Sequence, residues 1–256
     1  HRNLVIILKD ISIRKRAEQA LHRQNGRLIT LNAINKAILA ADSPEEIAHL
    51  LSCYNIRFAE MLMAKNAADA VAAAAKVGFP VAVKLSSSTI QHKTDVGGVK
   101  LDLESEIEVK QAFNDIETRL AEIERQDEMD GVTVQHMVKE GIEAIVGVTL
   151  DPSFGPLIMF GMGGIYAELM KDVAVRLHPL TDSDARELVK SIKMAKMFEG
   201  FRGASPSDTE SLEDLILRLS ALVEDIPQIA ELDFNPVKVM PRGKGYWIVD
   251  ARIMLK

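Results

Sequence analysis

The sequence predicts a mixed α/β fold with helices and strands interleaved, and three observations carry that expectation. Apolar residues recur at helical spacing in some windows and at alternate positions in others. Polar cap residues and glycines stand where the helical windows start and stop. The chain closes on two β-rich runs, AELDFNPVKVM and YWIVDARIML, joined by the turn PRGKG.

In chain order, Asn3 to Ile11 reads as a strand, and from Ser12 the pattern becomes helical, with Leu21, Leu28, Leu31, Ile34 and Ile38 forming one apolar stripe. Asp42-Ser43-Pro44-Glu45-Glu46 is a helix start, with serine as cap, proline in the first turn and acids at the positive end of the dipole. A domain boundary is placed there, giving an arm of residues 1–43 and a folded domain of residues 44–256. Asn66 caps the next helix, which runs through DAVAAAAK to Gly78, a residue suited to a left-handed stop. FPVAVKL follows as a strand. A helix over Glu104–Arg125 precedes strands at Gly131–Val138 and Glu143–Leu150, the turn DPSFGP, and a strand LIMF entering GMGG. Helices over Asp182–Phe198 and Thr209–Glu224 then lead to the closing pair of strands.

Composition narrows the function. A length of 256 residues with 47% hydrophobic content is enough for one sizeable core or two modest ones. The net charge of -6 supplies no basic field for nucleic acid or an anionic membrane. Cys53 is the one cysteine, so there is no intrachain disulfide and no zinc-finger spacing, as expected of a reducing cytoplasm. The apolar runs Leu4–Leu8 and Val71–Ala75 are too short to cross a bilayer, and no secretory signal is present. The first residue is His1 rather than methionine, which suggests a piece of a longer chain.

Several residues stand out chemically. Lys84 closes a strand whose other members are apolar; it either snorkels out at the strand end or meets an anion. In HKTDVGGV, Gly97 and Gly98 allow backbone N–H groups to approach a polyphosphate. His92 in that loop is either a surface histidine or a nucleophile toward a phosphoryl group. Glu231, Asp233 and Asn235 alternate along one strand and share a face. Asp250 on the partner strand falls nearly opposite Asn235, so two oxygen donors suited to magnesium converge, unless the hairpin only turns a polar face to water. Glu143 starts a strand, where it accepts from ribose hydroxyls or lies exposed. GMGG with Glu168, Asp172 and Arg176, and Arg202 in GFRG, read by default as a structural turn and solvated charge.

Taken together, GFPVAVKL, IQHKTDVGGV, VTVQHMVKEGIE, GVTLDPSFGPLIMFGMGGIYAEL, DVAVRLHPL, GFRG, ELDFNPV and VDAR resemble the ATP-grasp domain, or beta subunit, of ADP-forming acyl-CoA synthetases from about Glu46 to Leu255. Succinyl-CoA synthetase beta chains are similar in the same places. The resemblance implies two α+β lobes, approximately residues 78–134 and 135–256, around a site for ATP or ADP with Mg2+. It implies that Lys84 holds phosphate, that Gln135, Met137 and Val138 contact adenine through backbone groups, that Glu143 holds ribose, and that Asn235 and Asp250 ligate magnesium. It makes His92 a mobile phosphoryl carrier, served by Asp233. It also implies a CoA-binding or ligase partner, on another chain or a missing segment, since neither such domain is visible here.

The arm reads separately. DISIRKRAEQAL resembles the exit of a PAS sensor, and LITLNAINKAILAADSPEEI the entry of a GAF sensor; a plain amphipathic helix accounts for the same residues. Its stripe is expected either to pair two copies or to pack back on the domain. Two further functions follow from such a fusion: a nucleotide-responsive regulatory module without turnover, or the ATP-grasp part of a protein acyltransferase.

Overall fold

The computed structural model describes residues 44–90, 93–164, 172–200 and 203–256. The strand and helix expected within residues 1–43 lie outside them, as do His92, Glu168 and Arg202. From Asp42 to Lys256 the chain forms one compact unit.

The elements run α1 (Pro44–Cys53), β1 (Met61–Ala64), α2 (Ala67–Val77), β2 (Val81–Ser86), β3 (Val99–Leu103), α3 (Glu106–Glu122), β4 (Gly131–His136), β5 (Ile142–Asp151), β6 (Gly155–Met162), β7 (Val173–Leu177), α4 (Asp182–Ser191), α5 (Thr209–Asp225), β8 (Ile229–Val239), β9 (Tyr246–Ile248) and β10 (Ala251–Leu255).

Two antiparallel sheets organise them. The smaller has the order β1-β4-β2-β3. Its alternation is clean: Val81, Val83 and Leu85 on β2 and Val132 and Val134 on β4 are fully buried with Ala70 and Ala74 of α2 and Val109 and Ile116 of α3. The intervening residues, Lys84 paired with Thr133 and Ala82 paired with Gln135, therefore point to the opposite face. Both helices begin on side-chain caps, Asn66 accepting from the Asp69 N–H and Ser105 from the Glu108 N–H. Gly78 ends α2 at φ 88°, and its N–H donates to the Ala74 carbonyl.

The larger sheet has the order β10-β8-β5-β6-β7, with β9 also paired to β8. Val146, Ile158, Phe160, Leu232, Phe234 and Val237 form its buried face, and α4 and α5 supply Leu188, Leu212, Leu215 and Leu219 to the same core. Burying a side chain such as Phe234 contributes about 1.5–3 kcal/mol.

Several expected elements are shorter or divided relative to the sequence reading. The helix starting at Asp182 stops at Ser191, because Ile192 turns extended (ψ 148°) and the Asp172 carboxylate accepts from the N–H groups of Lys193 and Met194, both at 2.8 Å. The last strand is divided into β9 and β10, separated by Val249 and Asp250. Its partner β8 is irregular at the same level. Ala144 pairs with Val237 and Val146 with Phe234, so Ile145 alone faces Asn235 and Pro236. This bulge accommodates a proline inside the sheet.

Candidate nucleotide and metal site

Lys84 sits inside β2 rather than at its end, flanked by fully buried Val83 and Leu85. Its ammonium donates to Gln135 Oε1 at 2.7 Å, and Gln135 Nε2 donates to the Val249 carbonyl at 2.9 Å. A charged group on the smaller sheet is thereby tied to the β9–β10 connection of the larger one. Burial pushes the Lys84 pKa down; the negative charge of Asp250 opposes this and the positive charge of Lys93 adds to it. Lys84, Lys93 and Asp250 thus share one electrostatic neighbourhood, with two cations that an anion would relieve.

The ladder break on the hairpin places the two expected metal-holding residues together. The Asn235 N–H donates to the Asp250 carbonyl at 3.1 Å, and the Val249 N–H donates to the Pro236 carbonyl at 3.0 Å. Asn235 and Asp250 are therefore cross-strand neighbours, and both are exposed. One amide oxygen and one carboxylate form a donor set that suits magnesium, which keeps water and phosphate oxygens in its remaining positions. Among the described residues no group of three or more His, Cys, Asp or Glu is gathered to hold a metal, so the set does not resemble a zinc or all-protein calcium site.

Asp233 is half-buried on the same face. Burial chiefly raises its pKa, with repulsion from Glu231 and Asp250 adding to the rise and Arg252, its cross-strand partner, opposing it. The carboxylate is a stronger proton acceptor than a surface aspartate. Gly147 pairs with it on β5, and a Cβ there would fall 2.8 Å from the Leu232 carbonyl oxygen, so glycine lets the two strands approach closely beside Asp233.

Glu143 lies at the start of β5, as the sequence suggests, and its Oε1 accepts from Lys238 Nζ at 2.8 Å. The last two glycines of GMGG explain themselves here. A Cβ on Gly164, whose φ is +65°, would fall 2.5 Å from Glu143 Oε2, and one on Gly163 would fall 3.0 Å from Glu143 Cβ. They are close-approach glycines that fit the chain around this side chain. Lys238, the ion-pair partner of Glu143, is a residue that sequence reading misses. Its signal is its register: Lys238 pairs with Glu143, and the bulge at Asn235–Pro236 is what shifts it onto that face.

For Gly97 and Gly98 the structure corrects the expectation of free backbone donors. The Gly97 N–H donates to the Thr94 carbonyl and the Gly98 N–H to the Lys93 carbonyl. The Gly98 carbonyl accepts from the Leu85 N–H at 2.7 Å, and a Cβ on Gly98 would approach Leu85 Cβ to 2.8 Å. These glycines pack the returning loop against β2 beside Lys84, and their N–H groups are already engaged.

The connection after β4 is likewise more committed than expected. The Met137 N–H donates to the Pro80 carbonyl at 2.9 Å. A cavity of about 370 Å³ opens beside Met137 and Val138, with Val77, His136, Met240 and Trp247 among its walls. It does not include Lys84, Asn235 or Asp250, and His136 belongs to the helix-covered face of the smaller sheet, opposite Lys84. Lys84 and the Asn235–Asp250 pair therefore do not line this cavity.

The two-sheet α/β unit, with a half-buried strand lysine linked through Gln135 to the strand connection beside Asp250, has a family match: residues 35–255 match the ATP-grasp domain, and the chain belongs to that family. Within it, the chain is related to the ADP-forming acyl-CoA ligases. It is 47% identical over 211 residues to 4-hydroxybutyrate–CoA ligase (ADP-forming) of Nitrosopumilus maritimus, a match covering 82% of this chain and 30% of that protein. It is 41% identical over 212 residues to the beta subunit of acetate–CoA ligase (ADP-forming) II of Pyrococcus furiosus, covering 82% of this chain and 90% of that subunit. Acetyl-coenzyme A synthetase 1 of Ca. Korarchaeum cryptofilum, solved with coenzyme A and Ca-AMPCP, superposes with a TM-score of 0.78 at 40% identity, covering 83% and 92% of the two chains. Another structure of that enzyme holds Mg-AMPPCP, with its phosphohistidine segment pointing towards the nucleotide-binding site; the TM-score is 0.72 at 38% identity, covering 83% and 91%. The chain thus spans under a third of the longer ligases and nearly all of the separate beta subunit. No helix among the described residues is long and apolar enough to cross a membrane.

Proposed function

We propose that this chain is the ATP-grasp component of an ADP-forming acyl-CoA synthetase, which binds Mg-ATP or Mg-ADP and passes a phosphoryl group through His92 to or from a CoA-ligase partner. The single observation that carries the reading is the link from Lys84 through Gln135 to Val249, which holds a half-buried cation beside the segment that carries Asp250.

Each residue then has a task. Lys84 neutralises oxygens of the terminal phosphates, where a desolvated cation acts more strongly than in water. Asn235 and Asp250 hold magnesium, which supplies further charge neutralisation at the phosphates when bound. Glu143, fixed by Lys238, accepts from ribose hydroxyls. In the ATP-forming direction a terminal oxygen of ADP attacks the phosphorus carried on His92; the O–P bond forms, the N–P bond breaks, and the imidazole is regenerated. Asp233 accepts an N–H of the phosphorylated ring and stabilises its charge. The acyl phosphate and coenzyme A belong to the partner, in keeping with a separate beta subunit in the Pyrococcus furiosus ligase.

Calorimetric titration with AMPPCP, with and without Mg2+, tests the site. Wild type is expected to bind more tightly when magnesium is present, and Asp250→Ala to lose roughly 10-fold in affinity, the scale of one charged contact, with magnesium and little without it. Equal affinity of Asp250→Ala and wild type for the magnesium complex would remove Asp250 from the site.

A further inference from the structure

The Gln135 side chain is used in a way that adenine contact through the backbone leaves unexplained. The residue is 2% exposed, and both ends of its carboxamide are paired. The oxygen accepts from Lys84, which belongs to the neighbouring strand of the same sheet; the nitrogen donates to Val249, which belongs to the larger sheet. Ala82 is its cross-strand partner, and Lys84, Thr133 and Ser86 are the other polar side chains on its face along the paired segment of β2 and β4. Val249 in turn stands next to Asp250, and its N–H is held by Pro236 next to Asn235. One carboxamide therefore links Lys84 to the segment that carries Asp250, which is itself hydrogen-bonded to the Asn235–Pro236 stretch of β8.

Other side chains cannot reproduce this. Glutamate accepts from Lys84 but has no donor for the Val249 carbonyl, and an ionised carboxylate would neutralise the lysine that phosphate needs. Leucine leaves both Lys84 and the Val249 carbonyl without this partner in a buried place. A lysine has many rotamers, and a firm acceptor restricts them before the ligand arrives.

We infer that Gln135 is a positioning residue: its carboxamide aims Lys84 and fixes its spacing to the Asn235–Asp250 hairpin, so that cation and metal meet one polyphosphate. The inference rests on the nucleotide site proposed above. It gives Gln135 a role toward phosphate, separate from any contact of the β4 connection with the base.

A double-mutant cycle on the full chain tests it, with Mg-ADP and adenosine as separate probes. Gln135→Leu is expected to weaken Mg-ADP about 10-fold, the scale of a hydrogen bond to a charged group. In a Lys84→Met background the same change should cost less than about 2-fold, because the group it aims is gone. Adenosine, which lacks phosphate, should be unaffected by Gln135→Leu. Gln135→Asn, which keeps the amide but is one methylene too short to reach both partners, is expected to lose Mg-ADP affinity as well and to be equally silent without Lys84; it decides the matter if the leucine variant does not fold by circular dichroism. Additive losses, or an equal loss of adenosine, would overturn the positioning role while leaving the nucleotide site intact. A wild-type chain that binds no Mg-ADP would overturn the site itself, and the inference with it.

Discussion

His92→Ala is expected to abolish incorporation of label from γ-labelled Mg-ATP, while the wild-type chain takes up label that acid removes and base does not. A phosphoryl group on an imidazole nitrogen has that stability, and one on a hydroxyl has the reverse. The distinction matters here because Ser86, Ser87, Ser88 and Thr89 stand just before the histidine. The carrier role proposed for His92 rests on the family resemblance of its IQHKTDVGGV motif. Nucleotide affinity should stay within about 2-fold of wild type, since the histidine carries the phosphoryl group and does not hold the nucleotide. Persistent label in the alanine variant, or acid-stable label in wild type, would refute the role of His92.

Lys84→Met has the second large effect, and it separates binding from folding. Mg-ATP affinity should fall roughly 100-fold, about 3 kcal/mol, as expected for losing a charged hydrogen bond in a partly desolvated site. Stability of the ligand-free chain should hardly fall. Burial lowers the folded-state pKa of Lys84 below its ordinary 10.5, so the folded chain holds that proton less tightly than the unfolded chain. The charge therefore disfavours folding at neutral pH, and the penalty fades as pH rises through the folded pKa toward 10.5 and above. Methionine removes the penalty but leaves Gln135 Oε1 without its donor, and the two changes offset. The thermal midpoint of Lys84→Met relative to wild type should accordingly be higher at pH 7 than at about pH 10.5. A midpoint that collapses at neutral pH would make Lys84 a structural residue instead.

The parts of this site that can be read in sequence are those set by local rules. Asn66 and Gly78 bound α2 because a side-chain acceptor and a left-handed glycine act within one turn. The opposition of Asn235 and Asp250 follows from folding one hairpin about a short turn. What escapes reading depends on partners distant in sequence. β1, β3 and β7 are short segments that are strands because β4, β2 and β6 pair with them. The end of α4 at Ser191 is imposed by Asp172, a side chain from before the helix. Gln135 gives no sign in the sequence that its carboxamide meets Lys84, 51 positions earlier, and Val249, 114 positions later. The glycines are a mixed case. Gly97 and Gly98 were readable as residues of close approach, yet what they approach is Leu85 and their own turn.

The most direct test of one shared site is a crystal structure of the chain with Mg-AMPPCP. The expected density has the triphosphate between Lys84 and the Asn235–Asp250 pair, with magnesium bound to both of those side chains and to phosphate oxygens. A nucleotide seated elsewhere, with its phosphates away from Lys84 and the metal away from Asp250, would contradict it.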